Sequence, residues 1–223
     1  MGFNIAIDGP AGAGKSTIAK RVAKELGYIY VDTGAMYRAM ALAVLRRGIP
    51  AAEEQAVAEA VEHMEVSIAY EGGEQQILLN QENVTGLIRT EEVGNTASLT
   101  SAYPAVRAKL LRLQQELAKK ADVIMDGRDI GTCVLPDAPL KIYLTASVET
   151  RGKRRFDELT ARGEACDLTA ICRDIQERDR RDMSRETAPL KKAEDAVLVD
   201  SSDMTIEEVT AAIVSCARER QRP

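Results

Sequence analysis

A short apolar stretch, Phe3 to Ile7, runs straight into Gly9-Pro10-Ala11-Gly12-Ala13-Gly14-Lys15-Ser16, which spells G-x-x-x-x-G-K-S. From Lys15 onward, Ile18, Ala19, Val22, Ala23 and Leu26 fall on one helical face, and Gly27 supplies a stop. Strand, glycine-rich loop and helix in that order make a phosphate cradle. Glycines let backbone N–H groups curl around phosphate oxygens, and the helix N-terminus adds the positive end of its dipole. Lys15 can reach β- and γ-phosphates, and the Ser16 hydroxyl can ligate Mg²⁺. A plain Gly-rich turn capping a helix would need neither the spacing nor the frame. The segment implies a nucleoside triphosphate.

The chain has 223 residues, 45% of them hydrophobic, enough for one α/β domain with an insertion and too few for two comfortable ones. A net charge of −5 argues against nucleic acid as a partner. Charge is uneven, however: residues 151–185 hold nine Arg and one Lys against eight Asp or Glu, a place to receive anionic groups. Cys133, Cys166, Cys172 and Cys216 form no C-x-x-C pair, and His63 is the single histidine, so no zinc site of ordinary spacing can be assembled. No apolar run approaches the roughly 20 residues of a membrane span. The first strand begins at once, leaving no room for a signal peptide, and Ala6 stands where a myristoylation signal has Ser or Thr. The expectation is a cytoplasmic monomer with reduced thiols, bound to no membrane and no nucleic acid.

Hydrophobic periodicity predicts a strand over Tyr28 to Asp32, then helices over 35–47 and 53–64. His63, at the end of the latter, reads as a surface residue. From Glu65 to Thr90 the period becomes two. Val66, Ile68 and Tyr70 alternate, Gly72-Gly73 turns, and Ile77 and Leu79 alternate again, predicting a small antiparallel sheet. Helices follow over 93–100 and 105–120, strands over 122–126 and 141–145, helices over 148–162 and 168–183, and a strand over 196–200. Thr205 and Glu208 form a capping box for the last helix. Strands alternating with helices predict an α/β P-loop fold of three layers, a mostly parallel sheet flanked by helices. The antiparallel β insertion and a helical lid are its additions. The division expected is one P-loop chain, 1–223, with a core of 1–32, 105–147 and 190–223, an insertion of 33–104 and a lid of 148–189. Ligands of such sheets gather beyond the strands' carboxyl ends, where the P-loop, Thr33 and Asp126 to Asp129 would open.

P-loops serve switches, motors, transporters and kinases. Guanine-reading switches need N-K-x-D, but Asn4, Asn80, Asn83 and Asn95 are never followed by Lys. Motors usually exceed this length. A small kinase remains, and polar clusters suit an acceptor: Asp32-Thr33-Gly34-Ala35-Met36-Tyr37-Arg38, Asn95 to Ser98 with Arg107, Asp126-Gly127-Arg128-Asp129-Ile130-Gly131-Thr132, and Arg178, Asp182 and Arg185.

With these segments in this order, the chain resembles cytidylate kinases of the bacterial type, from Ile5 to about Cys216. The resemblance implies transfer of the γ-phosphate of ATP to CMP or dCMP, with Mg²⁺, in pyrimidine nucleotide metabolism. It implies that Gly9 to Ser16 with Thr17 hold ATP, with Ser16 on the metal. Arg38, Arg128 and Arg185 would grip the acceptor phosphate. Thr33, Ser98, Arg107 and Asp129 would read cytosine, and Arg178 and Asp182 would touch the ribose. Arginines of 151–162, Arg151 and Arg154 among them, would form the lid over ATP. Lys15, Arg128, Arg185 and Arg154 would be the catalytic cations. The 65–90 excursion would belong to the monophosphate-binding part. Ser16 stands where some members have Gly, favouring a direct Mg²⁺ ligand.

The residues support these roles on their own chemistry. Cytosine offers an N4 amino donor where uracil offers an O4 acceptor, so a carboxylate such as Asp129 attracts one and repels the other. Arg178, Asp182 and Arg185 recur at i, i+4 and i+7, on one helix face. A surface salt-bridge ladder would show the same spacing, contributing about 0.3–0.5 kcal/mol per pair. For Arg151, Arg154 and Arg155 a solvated helix face is the competing reading, and for Arg128 a capping role. Two other functions remain open: a kinase for a non-nucleotide alcohol such as shikimate, where three phosphate-gripping arginines are surplus, and a nucleotide-dependent switch with little transferase activity.

Overall fold

The computed structural model describes residues 2–222, which divide into two units: 2–30 with 121–222, and Val31–Lys120. The first unit is built on a parallel sheet. Strand β1 (Ile5–Asp8) is buried at every position because helices cover both faces of such a sheet. It pairs in parallel with β6 (Val123–Gly127) on one side and β7 (Leu140–Thr145) on the other, and β7 pairs in parallel with β8 (Val197–Asp200). With β2 (Ile29–Asp32) at the edge, the five-strand order is β2-β6-β1-β7-β8. The chain departs from β1 in both directions. That makes the carboxyl end of β1 a switch point, where a crevice opens for ligand.

Helix α1 (Lys15–Leu26) buries Ile18, Ala19, Val22 and Ala23 against this sheet. It ends where Gly27, at φ 72°, takes the left-handed turn that a side chain would resist. Helices α6 (Val148–Ala161) and α7 (Leu168–Met183) pack on each other so closely that a Cβ at Gly152 would sit 2.3 Å from Cys172 Sγ. Helix α8 (Ile206–Gln221) returns over the sheet with Val209, Ile213, Val214 and Ala217 inward. Between β6 and β7 the chain makes a single π-helical turn, Ile130–Val134, which hydrophobic periodicity did not reveal.

The second unit contains α2 (Thr33–Arg46), α3 (Glu54–Glu62), β3 (Val66–Glu71), β4 (Glu74–Leu79), β5 (Glu82–Asn83), α4 (Glu91–Thr100) and α5 (Pro104–Lys120). Strands β3, β4 and β5 form the antiparallel sheet expected from the alternation. Gly72 and Gly73, at φ 58° and 83°, make the two-residue hairpin turn whose twist matches its strands. Alternation places Gln75, Ile77 and Leu79 on one face. Ile77 and Leu79 join Met36, Met40, Val61 and Ile88 in the core of this unit.

Two boundaries differ instructively from the sequence expectation. Helix α2 begins at Thr33 rather than 35, because the Asp32 carboxylate accepts the Ala35 N–H at 2.9 Å and caps the helix early. Helix α5 clusters with the second unit, its Val106 and Leu110 entering the core of Met36 and Met40, whereas the sequence expectation counts 105–120 with the P-loop core. His63 is exposed, as expected. The Thr205–Glu208 capping box is formed in full. Thr205→Ala should cost about 0.5–2 kcal/mol in urea unfolding with an unchanged m-value. An unchanged midpoint would show that α8 owes its start to packing alone.

Candidate active site

Where β1 ends, the chain leaves so close to β7 that a Cβ at Gly9 would meet the Leu144 carbonyl oxygen at 1.9 Å. Glycine is obligatory there. Gly12 and Gly14, at φ 75° and 85°, then curl the loop into α1. Lys15 is buried and donates to the Pro10 carbonyl at 2.7 Å, lying across its own loop. Burial, with the neighbouring Arg128 charge, lowers its pKa to about 7 against the opposing pull of Asp126 and Asp8. Such a lysine regains its full charge most readily when an anion enters the loop.

Three carboxylates, two at strand ends and one on α7, organise this crevice. Asp126, on β6, accepts from the Ser16 hydroxyl and from the Tyr30 hydroxyl, each at 2.9 Å. Asp8, on β1, accepts the backbone N–H groups of Ile130 and Gly131, each at 2.7 Å. The π-helical turn is thereby held from below, and Asp129 is fixed immediately before it. Asp182, on α7, accepts from Arg128 Nε at 2.8 Å and from an Arg185 terminal nitrogen at 2.6 Å. Its side chain is 2% exposed. Burial alone would raise its pKa, but Arg128 and Arg185 outweigh that and hold it below the usual carboxylate range. The expected helical triplet is not one helix face, since α7 ends at Met183 and Arg185 follows it, and it is no surface ladder: Asp182 is interior and bridges Arg128 and Arg185. Arg178 lies near enough for its charge to lower the pKa of both Lys15 and Asp182.

The expected lid arginines separate into three kinds. Arg151 is buried, donating to the Ala146 and Ala11 carbonyls and pairing with Asp179 at 2.7 Å. Its contacts brace the P-loop through Ala11 rather than leave it on a solvated face. Arg154 donates to the Ser201 carbonyl at 2.7 Å and lies 3.9 Å from where a Gly14 Cβ would stand, beside the loop. Arg155 pairs with Glu158 along the exposed helix, so for it the solvated reading holds.

In the second unit, Thr33 is buried in the first turn of α2 and Arg38 follows on the same helix, donating to the Ile88 carbonyl at 3.2 Å. A Cβ at Gly94 would come within 2.9 Å of that guanidinium, so the glycine makes room for it. Arg107 is nearly buried, 5.8 Å from the Tyr37 ring and bonded to the Ser101 carbonyl at 3.2 Å. Ser98 is buried on α4, which packs along α2. Thr33, Arg38, Ser98 and Arg107 therefore share one unit, and Lys15, Arg128, Asp129, Arg178, Asp182 and Arg185 share the other.

Sequence reading singled out none of Asp8, Tyr30 or Asp179. For Asp8 a signal existed: an acid closing an otherwise apolar buried strand must have partners. Burial drives its pKa up to about 6 against its two backbone hydrogen bonds and Lys15, with Asp129 adding to the rise. Between pH 4 and 6 the folded chain thus keeps a proton that the unfolded chain releases, so this group's contribution to stability falls as pH rises. Asp8→Asn should remove that falling slope from unfolding free energies measured between pH 4 and 6.5. Identical slopes in both proteins would contradict the assignment.

With this geometry in view, the likeness to known proteins is informative. The cytidylate kinase family model matches residues 5–219. A cytidylate kinase of Caldicellulosiruptor saccharolyticus is 53% identical over 212 residues, covering 95% of this chain and 94% of that protein. One of Listeria welshimeri is 51% identical over 217 residues, covering 97% and 96%. Among solved structures, an uncharacterized protein from Eubacterium ventriosum shares the fold at a TM-score of 0.54 and 13% identity, covering 98% of this chain and 99% of its own. A match along almost the whole length, at about half the residues identical, places the chain in the cytidylate kinase family of nucleoside monophosphate kinases.

Proposed function

We propose that the protein transfers the γ-phosphoryl group of ATP to the phosphate of CMP or dCMP, giving ADP and CDP or dCDP. The observation that carries the reading is the pair Arg128 and Arg185 held by one buried carboxylate, Asp182, in the same unit as the P-loop lysine. Such a pair is a prepared receptor for a phosphate dianion, and a kinase acting on an alcohol has no use for it.

An acceptor phosphate oxygen attacks the γ-phosphorus as the bond to the β,γ-bridging oxygen breaks, and the electron pair leaves with ADP. The acceptor is already anionic near neutrality, so no general base is required. Negative charge spreads over the equatorial, attacking and leaving oxygens, and fixed cations stabilise it. Lys15 and Arg154 serve the donor side, while Arg128, Arg185 and Arg38 aim the acceptor phosphate. Residues 9–17 hold the ATP phosphates, with Arg151 bracing the loop by its bond to Ala11. Helices α6 and α7, in 148–189, serve as the lid.

A hydroxyl and a carboxylate lie 2.9 Å apart at Ser16 and Asp126, an all-oxygen donor pair that suits Mg²⁺, which takes one or two protein oxygens and fills its shell with phosphate and water. Ser16 would ligate the ion and Asp126 would orient it. When bound, it neutralises charge on the β- and γ-phosphate oxygens.

Asp129 is buried just beyond β6, immediately before the π-helical turn. As a carboxylate it accepts from the N4 amino group of cytosine and faces an acceptor oxygen in uracil. Thr33, Ser98 and Arg107 complete the reading of the base, and Arg178 and Asp182 meet the ribose. The protein works as a monomer in the cytoplasm. No helix among the described residues is long and apolar enough to cross a membrane.

A coupled assay for ADP across CMP, dCMP, UMP and AMP tests this. Turnover should favour CMP and dCMP over UMP by up to on the order of 10⁴ in kcat/KM, since the wrong base leaves a buried carboxylate unpaired. Equal use of UMP and CMP would contradict the cytosine reading. Asp129→Ala should bring the CMP/UMP ratio toward one, and an unaltered ratio would remove Asp129 from base recognition.

A further inference from the structure

The antiparallel sheet and the segment that follows it each reach Asp32, the cap of α2, through one side chain that no sequence motif singles out. Gln75 is the outermost member of the β4 row whose other members, Ile77 and Leu79, are buried in the core beneath α2. Its side-chain amide grips the backbone of Asp32 at two points. The Asp32 N–H donates to Gln75 Oε1 at 2.7 Å, and Gln75 Nε2 donates to the Asp32 carbonyl at 3.3 Å. Asp32 lies on β2, the edge strand of the large sheet, and an edge residue exposes its N–H and C=O on the same side. A primary amide carries its donor and its acceptor on adjacent atoms, as a peptide group does, so Gln75 supplies what a neighbouring strand would. Ile77 and Leu79 on the same strand anchor the register that brings it there.

The Asp32 side chain is fixed as well. One oxygen caps α2 at the Ala35 N–H, and the other pairs with Arg89 at 2.6 Å. Arg89 follows Ile88, whose carbonyl accepts from Arg38. Backbone, cap and phosphate-gripping arginine are therefore all tied to the segment that runs from β4 to α4.

We infer that Gln75 and Arg89 are positioning residues for the acceptor nucleotide: they fix Asp32, and through it the first turns of α2 that present Thr33 and Arg38. The inference rests on Thr33 and Arg38 binding the acceptor. It makes the small sheet a working support for the monophosphate, acting through one residue's backbone.

Steady-state kinetics with CMP and ATP, together with thermal unfolding, test it on Gln75→Met, Arg89→Ala, Arg89→Lys and Arg38→Ala. Gln75→Met keeps the length of the side chain and deletes both hydrogen bonds. Gln75→Met and Arg89→Ala should each raise KM for CMP by about threefold to tenfold, the worth of one or two hydrogen bonds, with KM for ATP unchanged. Arg89→Lys should restore most of the loss, because it keeps the charge opposite Asp32. KM for CMP within twofold of the unaltered protein in both variants overturns the inference, and so does an equal rise in KM for CMP and ATP. Should Gln75→Met fail to fold, the contrast between Arg89→Ala and Arg89→Lys decides, since Arg89 is a half-exposed side chain. Arg38→Ala distinguishes the two levels: if it too leaves KM for CMP untouched, α2 does not bind the acceptor and the inference falls with that reading. A large effect of Arg38→Ala beside silent Gln75 and Arg89 variants sinks the inference alone.

Discussion

Two guanidinium groups placed side by side in a protein repel each other by on the order of 4 kcal/mol at about 4 Å and an effective dielectric of 20. Asp182 makes the arrangement of Arg128 and Arg185 stable, because each of its oxygens holds one of them. The carboxylate is buried, so the pair cannot relax into water, and leaving either partner without the other would strand an uncompensated charge. The outcome is a pair of cations held in fixed positions by one acid. Preorganisation of this kind is what lets a charged site stabilise a transition state without reorganising during the reaction.

The same device recurs across the crevice. Asp126 holds the Ser16 and Tyr30 hydroxyls, Asp179 holds Arg151, which in turn holds the P-loop carbonyl of Ala11, and Asp8 holds the turn after Asp129. Asp32 does likewise in the second unit, spanning a helix cap and Arg89. In each case a carboxylate holds neighbouring groups in place, and its own negative charge is taken up by the donors around it. This explains how a chain of net charge −5 can receive two nucleotides. What matters is where the acids point.

Features legible in the sequence were those decided by neighbours in the chain. The glycine pattern of residues 9–14, the apolar face of α1, the Gly72-Gly73 hairpin and the Thr205–Glu208 box are all local, and each is realised; of the expected helical triplet only Arg178 and Asp182 lie on α7, because the helix stops at Met183 and Arg185 reaches Asp182 from the chain beyond it. Family likeness carried the chemistry further than spacing could. Illegible features depend on distant partners. Asp8 meets its donors 122 and 123 residues away, Arg151 meets Ala11 across 140, and Gln75 meets Asp32 across 43. Helix α5 has an ordinary amphipathic pattern, which says that it packs but not on what; its core partners Met36 and Met40 placed it in the second unit. The π-helical turn is likewise a consequence of Asp8 taking two backbone donors, which no window of local sequence contains.

Isothermal titration of CMP and of cytidine with the unaltered protein and with Asp182→Asn addresses the role of the buried carboxylate most directly. If Asp182 aligns Arg128 and Arg185 for phosphate, the binding free energy by which CMP exceeds cytidine should shrink by about 1.5–3 kcal/mol in the variant, the worth of a charge-assisted hydrogen bond, so that the affinity ratio falls at least tenfold. An unchanged ratio, with both ligands weakened alike or neither affected, would contradict that role and leave Asp182 as a contact to the sugar or as a structural acid only.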